Sequence, residues 1–435
     1  MNGVDNARIE LFRQLKNEIR GSERHLIVGI DVAKEKHNAF FGTARGKTLL
    51  RNLTFDNRLD GFEKLLAMVD RIKVQHGLKA VVFGIEPTAN YHKPLAEHLI
   101  KCACMVVLVG GAAVKHNRQL LDGRWDKHDV KDAANIADLI SQGKCQFYEY
   151  PLMPLRDIRA LIALKRRLKK REHASSVCIR NNLIAQYFPE LDRHYGPQET
   201  LAVVRDCLDP SAVVGMEYDD FRDTVAPKRM TLARERRIKT IWQGAVNSIG
   251  CAMGEGAAYE AQVMVDSLKH VRKEIEGVEA KLEEACLKFP EYDYLLSIPG
   301  FGPDVSSKVL GAIGHPDRFA NAKQVLKMAG LDLCASRSGD TSSSATPVIS
   351  KQGKSDLRYA LYQAANIASL KNTDFVAYFT GKLDGRAKEK GIGTKMRVKL
   401  SAKLLVIAWT LMKKKERFDP KYLRQKAAKT DKAAA

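Results

Sequence analysis

Between residues 25 and 110 the chain alternates short apolar runs with polar breaks. HLIVGIDVA (25–33), HNAFFGT (37–43) and KTLLRNLTF (47–55) have the length and the β-branched and aromatic content of strands, and the breaks between them suit hairpins. The period then changes. In GFEKLLAMVDRIKVQHG (61–77) apolar residues recur at steps of three and four, and a glycine closes the run, which predicts a helix. KAVVFGIE (79–86) predicts a fourth strand, YHKPLAEHLIKC (91–102) a second helix, MVVLVG (105–110) a fifth strand and VKDAANIADLISQG (130–143) a later helix. Residues 1–150 therefore read as one α/β domain that begins with a polar helical segment.

Beyond residue 150 the strand pattern stops. Leu155, Ile158, Ile162 and Leu168 share a helical face, overlapped by the basic run Lys165, Arg166, Arg167, Lys169, Lys170 and Arg171. Met264, Leu268, Val271, Ile275, Val278 and Leu282 repeat at alternating steps of four and three, a heptad seam. Such a seam closes either a hairpin within one chain or a dimer, and we expect the dimer. Residues 151–290 thus read as an α-helical coiled-coil domain. Within it Pro189–Met253, with the basic cluster KRMTLARERRIK (228–239), forms a less regular insertion. A mainly α-helical third domain is expected over 291–418. Its start, YLLSIPGFGPDVSSKVLGAIG, has the form of a helix-hairpin-helix in which Gly300 and Gly302 let backbone N–H groups face a phosphate. Residues 419–435 read as a basic, disordered tail.

Charge narrows the function. The 435 residues carry a formal net charge of +21, and from Lys371 onward there are 18 Lys/Arg against 6 Asp/Glu. Cations that neutralise phosphates release counterions, so a surface of this kind favours nucleic acid. The eight cysteines show no metal-ligand spacing, which fits reduced thiols in a cytoplasmic protein. No signal peptide is visible at the N-terminus, and KLLVIAWTLM is too short to span a membrane.

Against this basic background four carboxylates stand out. Asp31 lies inside the first strand run, Glu86 ends the fourth, and Asp129 and Asp132 share one face of the later helix. Ionised carboxylates are seldom buried unless paired or bound to metal. Acids gathered from two strand ends and a helix supply the hard oxygen ligands that suit Mg²⁺, with phosphate oxygens completing its shell. Asp126 is a rival to this set and reads better as a helix cap. Near the other end, Ser338-Gly339 sits in a polar loop, with Lys351, Lys354 and Arg358 downstream as cations for phosphate. A serine is a weak nucleophile unless metal or a base activates it. By chemistry alone Ser336, Ser342, Ser343 and Ser344 compete with it.

The order βββαβαβα, with acids on the first strand, at the end of the fourth and on a late helix, is similar to the RNase H (RuvC-like) superfamily. VGIDVAKEKH, GIEPTANYHKPLA and KHDVKDAANIADL, together with IPGFGPDVSSKVLGAIG, AGLDLCASRSGD and ISKQGKSDLRYALYQAA, resemble the DEDD transposases of a bacterial insertion-sequence family. These are also called bridge-RNA-guided recombinases and are related to Piv-type DNA invertases. The resemblance implies a catalytic and metal-binding tetrad at Asp31, Glu86, Asp129 and Asp132, and a nucleophile at Ser338. It also implies Mg²⁺ as cofactor, donor and target DNA and a structured noncoding RNA as partners, and a dimer assembling into a larger synaptic complex. Action on the bacterial nucleoid, away from any membrane, follows. Three positions depart from the family pattern: Ala89 stands where glycine is usual, His128 where threonine is usual and Leu333 where proline is usual. A hydrolytic RuvC-like junction resolvase and a non-catalytic nucleic-acid-binding protein are the rival readings. The serine domain opposes the first, and the intact tetrad opposes the second.

Overall fold

The computed structural model describes residues 3–122, 129–226, 230–334, 348–383 and 385–424. Ser338, its rival serines, Asp126 and the tail from 425 lie outside them. The described chain forms two compact units, one of residues 1–152 with 315–324 and one of 153–314 with 325–435.

The first unit is a mixed α/β layer structure. Helix α1 (Gly3–Glu18) leads into β1 (His25–Asp31), β2 (Lys36–Thr43) and β3 (Thr48–Asp56), then α2 (Leu59–His76), β4 (Ala80–Ile85), α3 (His92–Lys101) and β5 (Met105–Leu108). Helices α4 (Gly111–Asp122) and α5 (Asp129–Ser141) and the short β6 (Gln146–Phe147) complete it. Strand order is β3-β2-β1-β4-β5-β6. β1 pairs antiparallel with β2 and parallel with β4, which pairs parallel with β5. Every strand and helix expected between residues 25 and 143 is present. The apolar runs are nearly continuous in β1 and β4 because both faces are covered. Leu26, Val28, Ile30, Phe83 and Ile85 pack under α2 and α3, while Ile27, Val82 and Val107 pack on the α5 side.

Glycines fix how closely α5 sits. A Cβ at Gly29 would lie 2.2 Å from the Ala133 carbonyl oxygen, and one at Gly84 would lie 1.9 Å from Ile140 Cδ1. Gly29 and Gly84 are register partners in β1 and β4, so together they open one trough across the sheet for α5.

The second unit is mostly helical. α6 (Met153–Cys178) continues through a π-helical turn (Ile179–Ile184) into α7 (Ala185–Tyr187). The expected insertion is a helical cluster of α8 (Gln198–Asp206), α9 (Pro210–Val214), α10 (Tyr218–Val225) and α11 (Leu232–Ala245) around Phe188, Phe221 and Ile241. α12 (Glu255–Leu287) returns along α6. α13 (Pro290–Leu296), α14 (Pro303–Ile313), α15 (Ala322–Ala329), the hairpin β7 (Leu333–Cys334) and β8 (Val348–Ile349), α16 (Ser355–Lys371), α17 (Thr373–Leu383), α18 (Ile392–Lys414) and α19 (Lys421–Arg424) follow.

The heptad seam requires a correction. Leu268, Val271, Ile275, Val278 and Leu282 are all buried in the isolated chain, and Met264 is partly buried. Val271, Ile275 and Val278 pack with Leu161, Leu164 and Leu168 of α6. The ion pairs Arg272–Glu172 and Lys165–Glu279 run antiparallel along the same pair. The stripe is filled within the chain, so it is not available to the second copy that we expected to occupy it.

Candidate active site

β1 ends on Asp31, and Glu86 directly follows β4, whose Ile85 is the register partner of Ile30. The two carboxylate-bearing positions are therefore neighbours at the carboxyl edge of parallel strands. α5 reaches the same edge by its direction. Its far end lies beside the segment preceding β1, where Arg20 Nε donates to the Gln142 carbonyl at 3.0 Å and Lys16 Nζ to that of Cys145 at 3.4 Å. Running antiparallel to β1, α5 brings its first turn, with Asp129 and Asp132, to the strands' carboxyl ends. Asp129 opens the helix; its side chain lies outside the described atoms.

Asp132 is 2% exposed. The Arg118 guanidinium of α4 donates from Nε to its Oδ1 at 2.7 Å, and both side chains are largely enclosed. A buried amide network fastens α4 to α5. Asn117 Nδ2 donates to Asn135 Oδ1 and to Asp138 Oδ2, each at 2.7 Å, and Asn135 Nδ2 donates to the Val114 carbonyl at 2.7 Å. Glu86 lies against the start of α4: a Cβ at Gly111 would come within 2.7 Å of Glu86 Oε1. A carboxylate is favoured at that helix end.

Behind Asp31 the chain turns on His37. The Ala33 N–H donates to His37 Nδ1 at 3.3 Å, and the ring is fully buried beside Phe55 and Phe62. Burial pushes the His37 pKa down, against a smaller upward pull from Asn57. After Glu86, Ala89 adopts φ +45°, the left-handed region that glycine prefers.

The sheet edge thus brings Asp31, Glu86 and Asp132 to one end. Among the described residues no group of three or more His, Cys, Asp or Glu is drawn close enough to hold a metal ion. The donor set is nevertheless all carboxylate oxygen, the chemistry Mg²⁺ takes, and enclosed Asp132 already draws one cation, the Arg118 guanidinium. In ligand chemistry, though not as a formed cluster, the residues fit that ion. Arg118, Asn117 and the trough glycines were missed in the sequence. Glycine inside an apolar strand run was the one available sign.

The residues expected to contact nucleic acid divide. Lys165 bridges Asp304 at 2.6 Å and Glu279 at 2.9 Å. Burial alone would lower its pKa, but these two carboxylates outweigh that and raise it. It is an internal tie and not a surface cation. Arg166 pairs with Asp356, Lys169 with Glu172 and Arg171 with Glu274. Arg167 and Lys170 are exposed. Gly300 is also closed off, since a Cβ there would lie 2.4 Å from the Ala364 carbonyl oxygen, whereas Gly302 has nothing within 4 Å. Arg358 Nη1 donates to the Ala329 carbonyl at 2.9 Å, and the Lys354 N–H to that of Met328 at 3.0 Å. Both clasp the base of the β7–β8 hairpin. Lys351 is exposed with φ +56°. No helix among the described residues is long and apolar enough to cross a membrane.

Comparison with known proteins gives two family matches. A family model for DEDD transposases, described as Transposase, matches residues 28–189, the range that holds Asp31, Glu86, Asp129 and Asp132. A second, described as Transposase IS116/IS110/IS902 family, matches residues 292–380, the range that holds Ser338. The chain is also 25% identical over 325 residues to a Streptomyces coelicolor protein described as "Insertion element IS110 uncharacterized 43.6 kDa protein", covering 72% of this chain and 77% of that one.

Proposed function

This chain belongs to the IS110 family of DEDD transposases, which are DNA-processing enzymes, and from that premise we propose that it cuts and rejoins DNA through a serine nucleophile. The observation that carries the reading is the convergence of the β1 end, the β4 end and the first turn of α5 on one sheet edge. In this reading the first unit is RNase H-like, and Asp31, Glu86, Asp129 and Asp132 hold Mg²⁺. When bound, that ion supplies Lewis acidity at a phosphodiester and lowers the pKa of a coordinated hydroxyl. Asp31 and Glu86 orient from the rigid strand ends. Asp132 is held in place by the α4–α5 amide network. Gly111 leaves the Glu86 carboxylate room that a side chain would take.

Ser338 Oγ would attack the phosphorus, forming a serine–phosphate ester as the bond to the deoxyribose oxygen breaks and that oxygen takes up a proton. Retaining the ester conserves the bond for rejoining. A structured noncoding RNA that pairs with donor and target DNA would choose the sites, base pairing reading sequence while protein reads backbone. The protein would act as a homo-oligomer on the nucleoid in the cytoplasm. Arg167, Lys170, Gly302 and Lys351 remain as accessible phosphate contacts.

The test is denaturing electrophoresis of labelled DNA after reaction in Mg²⁺, with mass spectrometry of any attached peptide. Wild type should give a covalent adduct at Ser338. Ser338→Ala and Asp31→Asn should abolish the adduct while DNA binding persists. Free ends without adduct would support a hydrolytic resolvase instead. Sequencing RNA that copurifies with the protein tests the guide.

A further inference from the structure

Two Gly-x-Gly turns of the second unit begin on a glycine in the left-handed region. Gly300-Phe301-Gly302 precedes α14, and Gly391-Ile392-Gly393 opens α18. In both, the first glycine has positive φ (+88° and +76°) and the middle residue is buried (6% and 4% exposed). Their surroundings are opposite. At the first turn the Gly300 backbone abuts α16, and the first turn of α14 carries Asp304, bound to Lys165 and Lys308 at 2.6 Å each. At the second, nothing lies within 4 Å of a Cβ on Gly391, and the first turn of α18 has no acid.

Cations gather around the open turn. From Lys382 to Lys403 there are eight Lys/Arg and two acids. The described acid, Glu389, is bonded to Arg386 at 2.7 and 2.8 Å. Lys382, Lys388, Lys390, Lys395 and Lys399 are exposed. Lys395 and Lys399 stand one turn apart on one face of α18, with Lys403 the next along it. The step of roughly 6 Å along the helix is on the order of the spacing of phosphates on a strand. These cations lie beyond residue 380, where the family match ends.

We propose that the α17–α18 hairpin is a docking surface for the backbone of duplex DNA, engaged through Lys390, Lys395 and Lys399. The inference rests on the reading of the chain as a DNA transposase and adds where it grips its substrate. Charge complementarity selects a polyanion, and the aromatic residues select a duplex. Tyr378 is flanked by Lys382 and Lys403 at 5.8 and 5.9 Å, and Phe379 is covered by Arg397 at 5.4 Å. Proteins that read unpaired RNA offer open rings or guanidinium planes for base stacking. Here the rings are already taken by the protein's own cations. The surface offers charge without a stacking platform.

The experiment compares salt dependence of binding to a DNA duplex and to a structured RNA of equal length. Full-length wild type, the triple variant Lys390→Gln/Lys395→Gln/Lys399→Gln and the triple Lys→Arg variant at the same positions are measured. Each lost phosphate contact removes roughly 0.9 from the log–log salt slope. For DNA the Gln variant should lose about 2.7 in slope and roughly five hundredfold in affinity at about 0.1 M salt. The Arg variant should keep both, and the RNA slope should change by less than about one. Circular dichroism should show all three equally helical. An unchanged DNA slope in the Gln variant, or an equal loss on RNA, overturns the docking surface while leaving the catalytic reading intact. A wild type that binds no DNA at any salt overturns both.

Discussion

Replacing Arg118 by methionine would leave Asp132 as a buried carboxylate without its cation. The guanidinium lies 2.7 Å from Oδ1, and the side chains of Arg118 and Asp132 are 18% and 3% exposed. With charge centres about 4 Å apart and an effective dielectric near 20, the attraction is about 4 kcal/mol. Removing one partner of a buried pair typically costs about 3–5 kcal/mol, because the other charge stays desolvated. The first unit has about 160 residues, a size at which each kcal/mol lowers Tm by roughly 2–4 °C. Its unfolding transition should therefore fall by roughly 6–20 °C, read by calorimetry. Hydrogen exchange should locate the loosening in α4 and α5. The double variant Arg118→Met/Asp132→Asn, which removes both charges, should recover most of the loss. If Asp132 is also a metal ligand, guanidinium and Mg²⁺ draw on the same carboxylate. Mg²⁺ at 100 times its Kd adds about 2.7 kcal/mol, so it should raise the Tm of Arg118→Met more than that of wild type. A single variant melting within about 2 °C of wild type, or a double variant no better than the single, would refute the reasoning.

Leu268→Lys/Ile275→Lys should collapse the second unit, since both side chains are buried against the chain's own helices (0% and 3% exposed) and an unpaired buried ammonium costs several kcal/mol; limited proteolysis should show residues 153–314 cut and the first unit intact, and an unchanged fold would restore the dimer reading of the seam. Ala89→Gly should raise Tm by a few degrees, because relieving a left-handed alanine gains about 1–2 kcal/mol while the freer unfolded chain gives back about 0.4–1; an unchanged or lower Tm would show that the turn is not strained. The pKa of His37 is lowered in the folded state, so the unfolded chain binds the proton more readily below its ordinary value of about 6.5. Stability should be flat above that pH and decline as pH falls toward 5. His37→Gln should flatten this decline in pH-dependent melting, and a variant with the same slope as wild type would remove His37 as its source.

The strands and helices between residues 25 and 143 were legible because period and burial agree there. β1 and β4 are apolar on both faces, α2 ends at Gly77 in a left-handed cap, and acids interrupt apolar runs at strand ends. Such patterns are properties of one segment and its exposure to water, so the linear order carries them. Pairings are properties of two segments, and only the tertiary structure decides them. The heptad stripe of α12 specified that a helix must cover it but not whose helix, and α6 of the same chain does. The basic run of α6 specified charge but not partners, and Lys165 turned inward to Asp304 and Glu279. The Gly-x-Gly turns at 300–302 and 391–393 look alike in sequence, yet the first is sealed by α16 and the second is open. Arg118 gives no local signal at all. Its guanidinium matters because the Asn117 network places α4 against α5, bringing it to a carboxylate that the sheet has already buried.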